Sequence, residues 1–336
     1  MTPIATGPLP IDRHRKEILD RLETWPVLFL KGETGCGKSS RVPRFLLEEY
    51  SKAAVAVGVP RVVAARNLSL RVAAELLGQL PSASAGYSTG KGKVIPPSDV
   101  GALVYATYET LWKRLRRGAR GVTYVVLDEV HERTVHCDLC LKYIRDIFEA
   151  NPDCGLRVVL MSATLETDTF VDYFKAPPGA MLQVPGRHHD VRRKFIEDMD
   201  LPDGVLCRPC PTDLPAGAGL AKSSRVNVDM KPWPAVDLEY VNAHLLAPIL
   251  CRWMPQFNAY SLVFLPGKEA IQKAKEYLVR SGFAAWQIRE LHSEKDADIL
   301  QEIVSGKAGR PTVILATNIA ESALTIPDVQ IVIRQA

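Results

Sequence analysis

Short apolar runs alternate along the chain with stretches in which apolar residues recur every three to four positions. The runs are rich in β-branched residues, which is typical of strands buried on both faces. The runs predict strands at Val27–Leu30, Ala53–Val57, Val100–Tyr105, Tyr124–Leu127, Arg157–Met161, Ser261–Leu265, Thr312–Ala316 and Gln330–Ile333. The periodic stretches predict helices that include Val42–Tyr50, Leu68–Leu77, Cys137–Phe148 and Lys268–Ser281. Buried strands that alternate with helices indicate an α/β protein with parallel β-sheets covered by helices.

The length of 336 residues is enough for two domains at roughly 150 residues each. The segment Asp200–Pro234 is rich in Pro, Gly, Ala and Asp and has no clear period, so we interpret it as an insertion or mobile loop. We place the domain boundary slightly before it, near Pro185. The predicted domains are therefore 1–184 and 185–336.

Composition and charge indicate the general class of protein but do not indicate its function. Hydrophobic residues make up 47% and charged residues 24%, so a sizeable core is expected and wholesale disorder is not. The net charge of +4 is too small to mark a nucleic-acid binder by itself. No apolar run approaches the roughly 20 residues that span a bilayer, and no signal peptide is evident. We therefore expect an intracellular protein of the nucleus or cytoplasm, with no membrane partner.

Seven cysteines are expected to be free thiols or metal ligands, because a reducing compartment disfavours disulfides. Cys137 with Cys140 and Cys207 with Cys210 have Cys-x-x-Cys spacing. A zinc site would need the two pairs to converge across a gap far longer than that of zinc ribbons. The alternative that we favour is a partly buried helix for the first pair and a loop for the second.

One glycine-rich segment fits the phosphate-binding pattern G-x-x-x-x-G-K-[ST], and it lies between a predicted strand and a predicted helix. Its glycines allow the backbone N–H groups to point at phosphate oxygens, and the next helix presents its positive end to the same anion. Lys38 is expected to reach the β and γ phosphates, and Ser39 to offer its hydroxyl to Mg²⁺. Pro43 should cost the helix one backbone hydrogen bond, which we expect it to tolerate. The predicted nucleotide-binding residues are Gly32, Glu33, Thr34, Gly35, Cys36, Gly37, Lys38 and Ser39.

Two adjacent carboxylates end the strand that begins at Tyr124. Ligands of open α/β sheets sit at the carboxyl ends of strands, so Asp128 is expected beside the phosphate loop, where it would hold Mg²⁺. Glu129 is the natural group to orient and deprotonate an attacking water. We interpret His131 as a link between the nucleotide site and a facing domain rather than as a metal ligand. The triplet that starts at Ser162 follows the next strand and is weak evidence alone.

Taken in order, these segments resemble the DEAH/DExH-box RNA helicases of helicase superfamily 2. The resemblance runs from Leu9 to the end of the chain, apart from Asp200–Pro234. Each matching segment is similar to one family motif. The segments are GETGCGKS at 32–39 (motif I), DEVH at 128–131 (motif II), SATL at 162–165 (motif III), PGR at 185–187, LVFLPG at 262–267 (motif IV) and ATNIAES at 316–322 (motif V).

The resemblance implies two RecA-like P-loop domains with ATP and Mg²⁺ between them. It implies ATP-dependent translocation along single-stranded RNA and unwinding of duplexes. Lys38, Asp128 and Glu129 would act on the nucleotide, and Ser39 with Asp128 would hold the metal. Ser162 and Thr164 would couple hydrolysis to domain movement. The residues implied to contact the RNA backbone are Arg61, Thr107, Thr317 and Asn318.

Departures from the family pattern fall in the predicted RNA contacts. Gly58-Val59 replace the usual Thr-Gln before Pro60-Arg61, and Val62 stands where a second arginine is common. Tyr108-Glu109 follow Thr107 in place of Asp-Gly. These changes can weaken the grip on the strand. Elsewhere, Arg334 stands where an aspartate often follows the last strand.

The chain stops at Ala336, before the arginine-rich motif VI of the family. Arginine fingers contribute about 10³–10⁵ to the rate of phosphoryl transfer, so we expect ATP binding with very slow hydrolysis. The second domain is then expected to be incomplete at its C-terminus. We expect a fragment rather than a degenerate paralogue, because motifs I and II are intact. Protein activators, if present, would dock largely on the missing region.

Two alternative functions stay open on the sequence alone. A catalytically impaired RNA-binding scaffold could retain ATP binding as a switch. A DNA-directed superfamily 2 motor would share the same nucleotide motifs. The rate of ATP hydrolysis and its stimulation by RNA or DNA distinguish these alternatives.

Overall fold

The computed structural model describes residues 8–33, 35–76, 85–96, 101–164, 167–186, 246, 250, 260–280, 286–292, 312–317, 326 and 329–334. The chain divides into two compact units, residues 1–190 and residues 191–336. The domain boundary at 184/185 stays a prediction. The predicted insertion at 200–234 lies outside the described residues.

The first unit contains eight strands and six α-helices among its described residues. Its strands are β1 Val27–Gly32, β2 Ala54–Val59, β3 Ala85–Thr89, β4 Gly92–Val94, β5 Ala102–Thr107, β6 Tyr124–Asp128, β7 Arg157–Ser162 and β8 Met181–Val184. Its helices are α1 Arg15–Thr24, α2 Lys38–Glu49, α3 Val62–Leu76, α4 Tyr108–Leu115, α5 Val135–Ala150 and α6 Thr167–Phe174. Short 3₁₀ helices occupy Pro10–His14, Val130–Glu132 and Pro178–Ala180.

The eight strands form one sheet in the order β4-β3-β5-β2-β6-β7-β1-β8. Neighbouring strands are parallel except for β3 and β4, which form an antiparallel pair. The central strands β6 and β7 are buried along nearly their whole length. A parallel sheet brings the carboxyl ends of its strands to one edge, so β1, β2, β5, β6 and β7 all end on the same side of the unit.

The described elements of the second unit are β9 Tyr260–Phe264, α7 Lys268–Arg280, β10 Gln287–Leu291, β11 Thr312–Ala316 and β12 Val329–Arg334. The strands form a smaller sheet with the order β10-β11-β9-β12, in which all neighbours are parallel. The buried residues of α7 recur every three to four positions, and this apolar stripe packs on the sheet.

The predicted α/β class with parallel sheets is confirmed. Each of the eight predicted strands overlaps a strand of the structure, and each of the four helices named from the sequence overlaps a helix. Four strands were missed: β3, β4, β8 and β10. The three residues of β4 are all exposed, and β10 is only partly buried, so neither carries the apolar signal of a buried strand. In the part of the chain that the structure describes, no helix has the length and apolar character needed to cross a membrane.

Candidate functional site

The glycine-rich segment forms a tight turn between the end of β1 and the start of α2. Gly35 and Gly37 have φ angles of 82° and 101°, in the left-handed region that favours glycine. Cys36 between them is fully buried. Thr34 lies outside the described residues. The turn therefore has the backbone conformation that the predicted phosphate-binding role requires at its two central glycines.

The segment before α1 packs directly on this turn. The N–H of Ile11 donates to the carbonyl of Cys36 at 3.1 Å. A Cβ atom placed on Gly37 would lie 2.7 Å from Leu9 Cδ1 and 2.9 Å from Ile11 Cγ2. The turn is thus held from outside by an apolar contact that leaves no room for a side chain at Gly37. Sequence patterns gave no signal for this support.

Lys38 is 4% exposed, and its ammonium group remains inside the turn. Its Nζ atom donates to the carbonyl oxygen of Gly32 and, at 3.0 Å, to that of Glu33. These bonds offset the cost of burying the ammonium group, which is large for an unpaired charge. The positive charge is therefore fixed at the end of β1, where the predicted phosphates would lie.

Pro43 lies inside α2, as the sequence predicted, and the helix runs through it. Proline has no N–H, so it cannot donate to the carbonyl of Ser39 four residues earlier. The hydroxyl of Tyr105 donates to that carbonyl instead, at 2.8 Å. Tyr105 is fully buried in β5, and burial raises the pKa of its phenol well above the usual value. This side chain therefore ties the first turn of α2 to the sheet.

Replacing Tyr105 with phenylalanine is expected to lower the free energy of unfolding by about 1–3 kcal/mol, because a partly buried carbonyl loses its partner. Urea unfolding of the purified chain measures the change. The control is Tyr143→Phe on α5, a half-buried tyrosine away from the phosphate turn. Equal losses in the two variants would contradict the role assigned to Tyr105.

Asp128 ends β6 and is 2% exposed. Its carboxylate accepts a hydrogen bond from the N–H of Glu129 at 3.1 Å, and the hydroxyl of Ser39 acts as a donor that lowers its pKa. Burial raises the pKa of Asp128, while the bond from Ser39 and the charge of Lys38 act in the opposite direction. The structure thus brings together the three side chains that the sequence predicted to meet at one nucleotide.

Glu129 has a φ angle of 57°, which is uncommon for a residue with a side chain. This turn directs the chain out of β6 into the short helix Val130–Glu132. Burial, reinforced by the charge of Asp128, raises the pKa of Glu129 to about 7. Within the described parts of the chain its Oε2 atom is buried without a hydrogen-bond partner, although His131 Nδ1 lies 3.4 Å away. Glu129 is therefore poised to exchange a proton near neutral pH.

The raised pKa of Glu129 makes stability depend on pH. The folded carboxyl holds its proton up to about pH 7, against an ordinary value of 4.5. The protonated carboxyl therefore contributes fully to the free energy of unfolding below about pH 4.5, and this contribution is lost as the pH rises to about 7. Glu129→Gln cannot ionise, so we expect it to be more stable than the unchanged chain by about 1–3 kcal/mol at pH 8, with little difference near pH 4.5.

Thermal unfolding of the nucleotide-free chain at several pH values between 4.5 and 8 tests this expectation. Glu149→Gln is the matched control, because that side chain is 60% exposed on α5. Parallel pH profiles for the unchanged chain and Glu129→Gln would contradict it.

Ser162 connects the end of β7 to the acidic pair. Its Oγ atom lies 3.0 Å from His131 Nδ1 and accepts the N–H of Thr164 at 3.2 Å. Ser162 is fully buried and Thr164 is exposed. Because His131 also lies beside Glu129, one imidazole touches both the acidic pair and the Ser-Ala-Thr triplet. The predicted link from His131 to a facing domain stays a prediction.

Two of the predicted RNA contacts lie at the same edge of the first sheet. Thr107 ends β5 and is paired in register with Val59, the last residue of β2. Arg61 follows two residues later at the start of α3. Thr317 follows β11 in the second unit, and its N–H donates to the carbonyl of Leu291 at 3.0 Å. Asn318 lies outside the described residues.

Tyr108 belongs to the site, and sequence reasoning missed it. Its hydroxyl donates to the backbone carbonyl of Asp128, and the side chain is buried. The available signal was the aromatic residue after Thr107, since a buried tyrosine hydroxyl usually finds a partner. Tyr108 therefore anchors the end of β6 to the start of α4.

The first Cys-x-x-Cys pair lies on α5, and both thiols are buried and free. Burial raises the pKa of Cys137 to about 12, and it also raises the pKa of Cys140. Neutral thiols bind zinc poorly. The described residues include no group of three or more His, Cys, Asp or Glu side chains suited to hold a metal ion. The second pair, Cys207 and Cys210, lies outside them.

Comparisons with known proteins agree with this geometry. Residues 245–335 match the helicase conserved C-terminal domain. The chain is 31% identical over 342 residues to the ATP-dependent RNA helicase DHX30 of Gallus gallus, covering 96% of this chain and 25% of that protein. It is 32% identical over 337 residues to the human DHX30, covering 96% of this chain and 26% of that protein. The chain thus spans about a quarter of the length of these relatives.

A solved structure gives the same relationship. The crystal structure of the Escherichia coli DEAH/RHA helicase HrpB superposes with a TM-score of 0.74 at 26% sequence identity. The alignment covers 97% of this chain and 36% of HrpB.

Proposed function

Because the chain belongs to the DEAH/DExH-box family of superfamily 2 helicases, we propose that it is the motor core of an ATP-dependent RNA helicase. In this proposal the first unit binds ATP with Mg²⁺ at the turn between β1 and α2. Hydrolysis is coupled to movement along single-stranded RNA and to the unwinding of duplexes.

One observation carries the proposal: Lys38, Ser39 and Asp128 lie together at the carboxyl edge of the sheet. Lys38 Nζ bonds to the carbonyl oxygens of Gly32 and Glu33 at the end of β1, and Asp128 is buried at the end of β6. The hydroxyl of Ser39 and the charge of Lys38 both lower the pKa of Asp128. A triphosphate needs a cation at its β and γ phosphates and an anionic, oxygen-rich site for its metal. The three side chains supply both requirements within one small volume.

The donor set fits magnesium. Mg²⁺ prefers oxygen ligands, and Ser39 and Asp128 offer a hydroxyl and a carboxylate that are already in contact. A buried carboxylate with a raised pKa also gains from a nearby cation, which offsets its desolvation. Bound magnesium would neutralise the charge that develops on the phosphates. Ser39 and Asp128 are therefore the residues that we propose to hold it.

Glu129 is the residue that we propose to orient and deprotonate the attacking water. A general base is most effective when its pKa is near the working pH, and burial raises that of Glu129 to about 7. Its buried Oε2 atom has no hydrogen-bond partner among the residues that the structure describes, so we propose that it receives a water molecule. The left-handed backbone at this residue fixes the carboxylate at the end of β6.

His131 and Ser162 provide a route by which the state of the nucleotide could reach motif III. His131 Nδ1 contacts both Glu129 and Ser162, and Ser162 in turn holds the backbone of Thr164. A change in the charge of Glu129 alters the bonding of the imidazole and hence the position of Ser162. We propose that this chain of contacts couples hydrolysis to domain movement.

RNA is the proposed track. Arg61 and Thr107 lie at the carboxyl edge of the first sheet. Thr317 and Asn318 are the residues of the second unit that we propose to contact RNA. Small hydroxyls and a guanidinium suit phosphates and sugars and read no sequence. Contacts of this kind would let a motor step along any strand.

The rate of ATP hydrolysis with and without nucleic acid tests the proposed function. We expect single-stranded RNA to stimulate hydrolysis, and single-stranded DNA of the same length to do so less. A clear preference for DNA would overturn the choice of substrate. Tight ATP binding with no hydrolysis under any condition, also in a chain extended through motif VI, would favour the ATP-binding scaffold.

A further inference from the structure

The end of α4 carries a dense group of basic side chains that the nucleotide site does not use. We name it the α4 basic surface, and its members are Lys113, Arg114, Arg116, Arg117 and Arg120, all of which are exposed. No aspartate or glutamate occurs between Glu109 and Asp128. The chain as a whole has a net charge of only +4, so this one surface holds more positive charge than the excess of the entire protein.

The turn that follows α4 gives these side chains a fixed scaffold. Gly118, Ala119 and Gly121 have φ angles of 86°, 51° and 68°, which fold the chain sharply. The N–H of Gly118 donates to the carbonyl of Leu115 at 2.8 Å, and that of Val122 to the carbonyl of Ala119 at 3.0 Å. Leu115 and Ala119 are buried, so they anchor the turn in the core. The charged residues are left on its outer side.

The α4 basic surface differs from the neighbouring helix α5 in how its basic side chains are paired with carboxylates. On α5, Lys142 pairs with Asp146 at i,i+4 spacing, and Arg145 pairs with Glu149. On the α4 basic surface, Lys113 pairs with Glu109, and the guanidinium of Arg116 lies 5.3 Å from the centre of the Trp112 ring. Among the described residues, no carboxylate forms an ion pair with its four arginines. Their charge is therefore available to an external anion.

The surface lies at the amino edge of the first sheet, opposite the nucleotide site. The N–H of Thr123, at the end of the same loop, donates to the carbonyl of Ala54 at the start of β2, at 2.9 Å. The N–H of Arg157, at the start of β7, donates to Thr123 at 3.0 Å. Strands rise about 3.3 Å per residue, which puts the loop roughly 15 Å from Asp128. It is thus separate from Arg61 and Thr107 at the carboxyl edge.

We propose that the α4 basic surface binds the phosphodiester backbone of a second segment of the RNA, outside the path predicted for the translocating strand. Four of its five residues are arginines, whose planar fork can bond two phosphate oxygens at once. Several such groups on one short loop suit a chain of phosphates better than a single anion. The proposal rests on the proposed function in taking RNA as the polyanion. It adds an anchoring site that would hold a duplex while its tail is in the motor.

The test compares Arg117→Gln/Arg120→Gln with a control that removes the same charge elsewhere. The control is Arg13→Gln/Lys16→Gln, on an exposed part of the first unit where basic and acidic side chains are mixed. Two RNAs are used, a single strand of about ten nucleotides and a long duplex with a single-stranded tail. Fluorescence anisotropy at several salt concentrations gives the affinity of the chain for each.

For the tailed duplex we expect the α4 variant to bind about 5–20-fold more weakly, with a salt dependence reduced by about 1.5 in log–log slope, because two phosphate contacts are lost. A single strand of about ten nucleotides is expected to occupy only the path of the translocating strand, so it makes no contact with Arg117 or Arg120. Its affinity, and the stimulation of ATP hydrolysis that it causes, should therefore change less than about twofold, because the number of its phosphate contacts is the same. The control should resemble the unchanged chain with both RNAs.

Three outcomes would overturn the anchoring site. The first is unchanged binding of the tailed duplex, and the second is an equal loss in the control, which would indicate a general charge effect. The third concerns phosphatidylserine vesicles: if the loss of Arg117 and Arg120 weakens binding to the vesicles more than binding to RNA, the surface binds lipid. Failure of the proposed function has a different signature: the unchanged chain would bind the tailed duplex through this surface, yet no RNA would stimulate ATP hydrolysis.

Discussion

Replacing Lys38 with alanine is expected to weaken ATP binding by about 100-fold or more, which corresponds to about 3 kcal/mol. The ammonium is the cation fixed at the end of β1, where it bonds to the carbonyls of Gly32 and Glu33. A charged hydrogen bond contributes about 1.5–3 kcal/mol, and the β and γ phosphates would each lose one. Titration with a fluorescent ATP analogue in the presence of magnesium measures the loss.

The control for this substitution is Lys52→Ala, because Lys52 is an exposed lysine that precedes β2 at the opposite edge of the sheet. It should bind the analogue as well as the unchanged chain does. Thermal unfolding of both variants shows whether the phosphate turn survives the loss of Lys38. A folded Lys38→Ala variant with unchanged affinity would contradict the assignment of the turn to phosphate binding.

Replacing Glu129 with glutamine is expected to keep ATP affinity within about threefold and to slow hydrolysis by about 10²–10⁴, the usual contribution of a general base. The amide has nearly the same shape as the carboxylate but cannot take a proton from water. Asp128 and Lys38, which we propose to hold the metal and phosphates, are untouched by the change. Single-turnover hydrolysis with saturating ATP and RNA separates this effect from one on binding.

Glu149→Gln serves again as the control, since it removes an exposed carboxylate from α5 without approaching the site. It should hydrolyse ATP at the rate of the unchanged chain. Normal turnover by Glu129→Gln would exclude this residue as the water-orienting group. A large loss of affinity would instead indicate that the carboxylate contributes to binding the metal–nucleotide complex.

The two substitutions are expected to give different results because Lys38 is proposed to bind the nucleotide and Glu129 to act in the chemical step. Lys38 supplies a positive charge that attracts the bound triphosphate before it reacts, so the loss of Lys38 lowers the affinity for ATP. Glu129 supplies a proton acceptor whose pKa is raised to about 7, so its loss appears in the chemical step. A single pair of measurements, affinity and single-turnover rate, therefore assigns each side chain.

The sequence by itself determined the strands that are buried on both faces and the segments whose chemistry is contiguous. β6 and β7 are continuous apolar runs, and such runs occur where neither face meets water. The phosphate turn is likewise encoded in eight adjacent residues, because its glycines, lysine and serine act within one turn of the backbone. The same holds for Asp128 and Glu129, which are neighbours in the chain.

Only the tertiary structure decided which distant side chains support those segments. Tyr105 is 66 residues from Ser39, and Ser162 is 31 residues from His131, so no local pattern connects either pair. The strands β4 and β10 also escaped detection, because β4 is exposed, β10 is only partly buried, and their pairing is set by the neighbouring strand. Apolar periodicity reports burial, which is a local average, whereas a hydrogen bond between remote residues depends on the packing of the whole sheet.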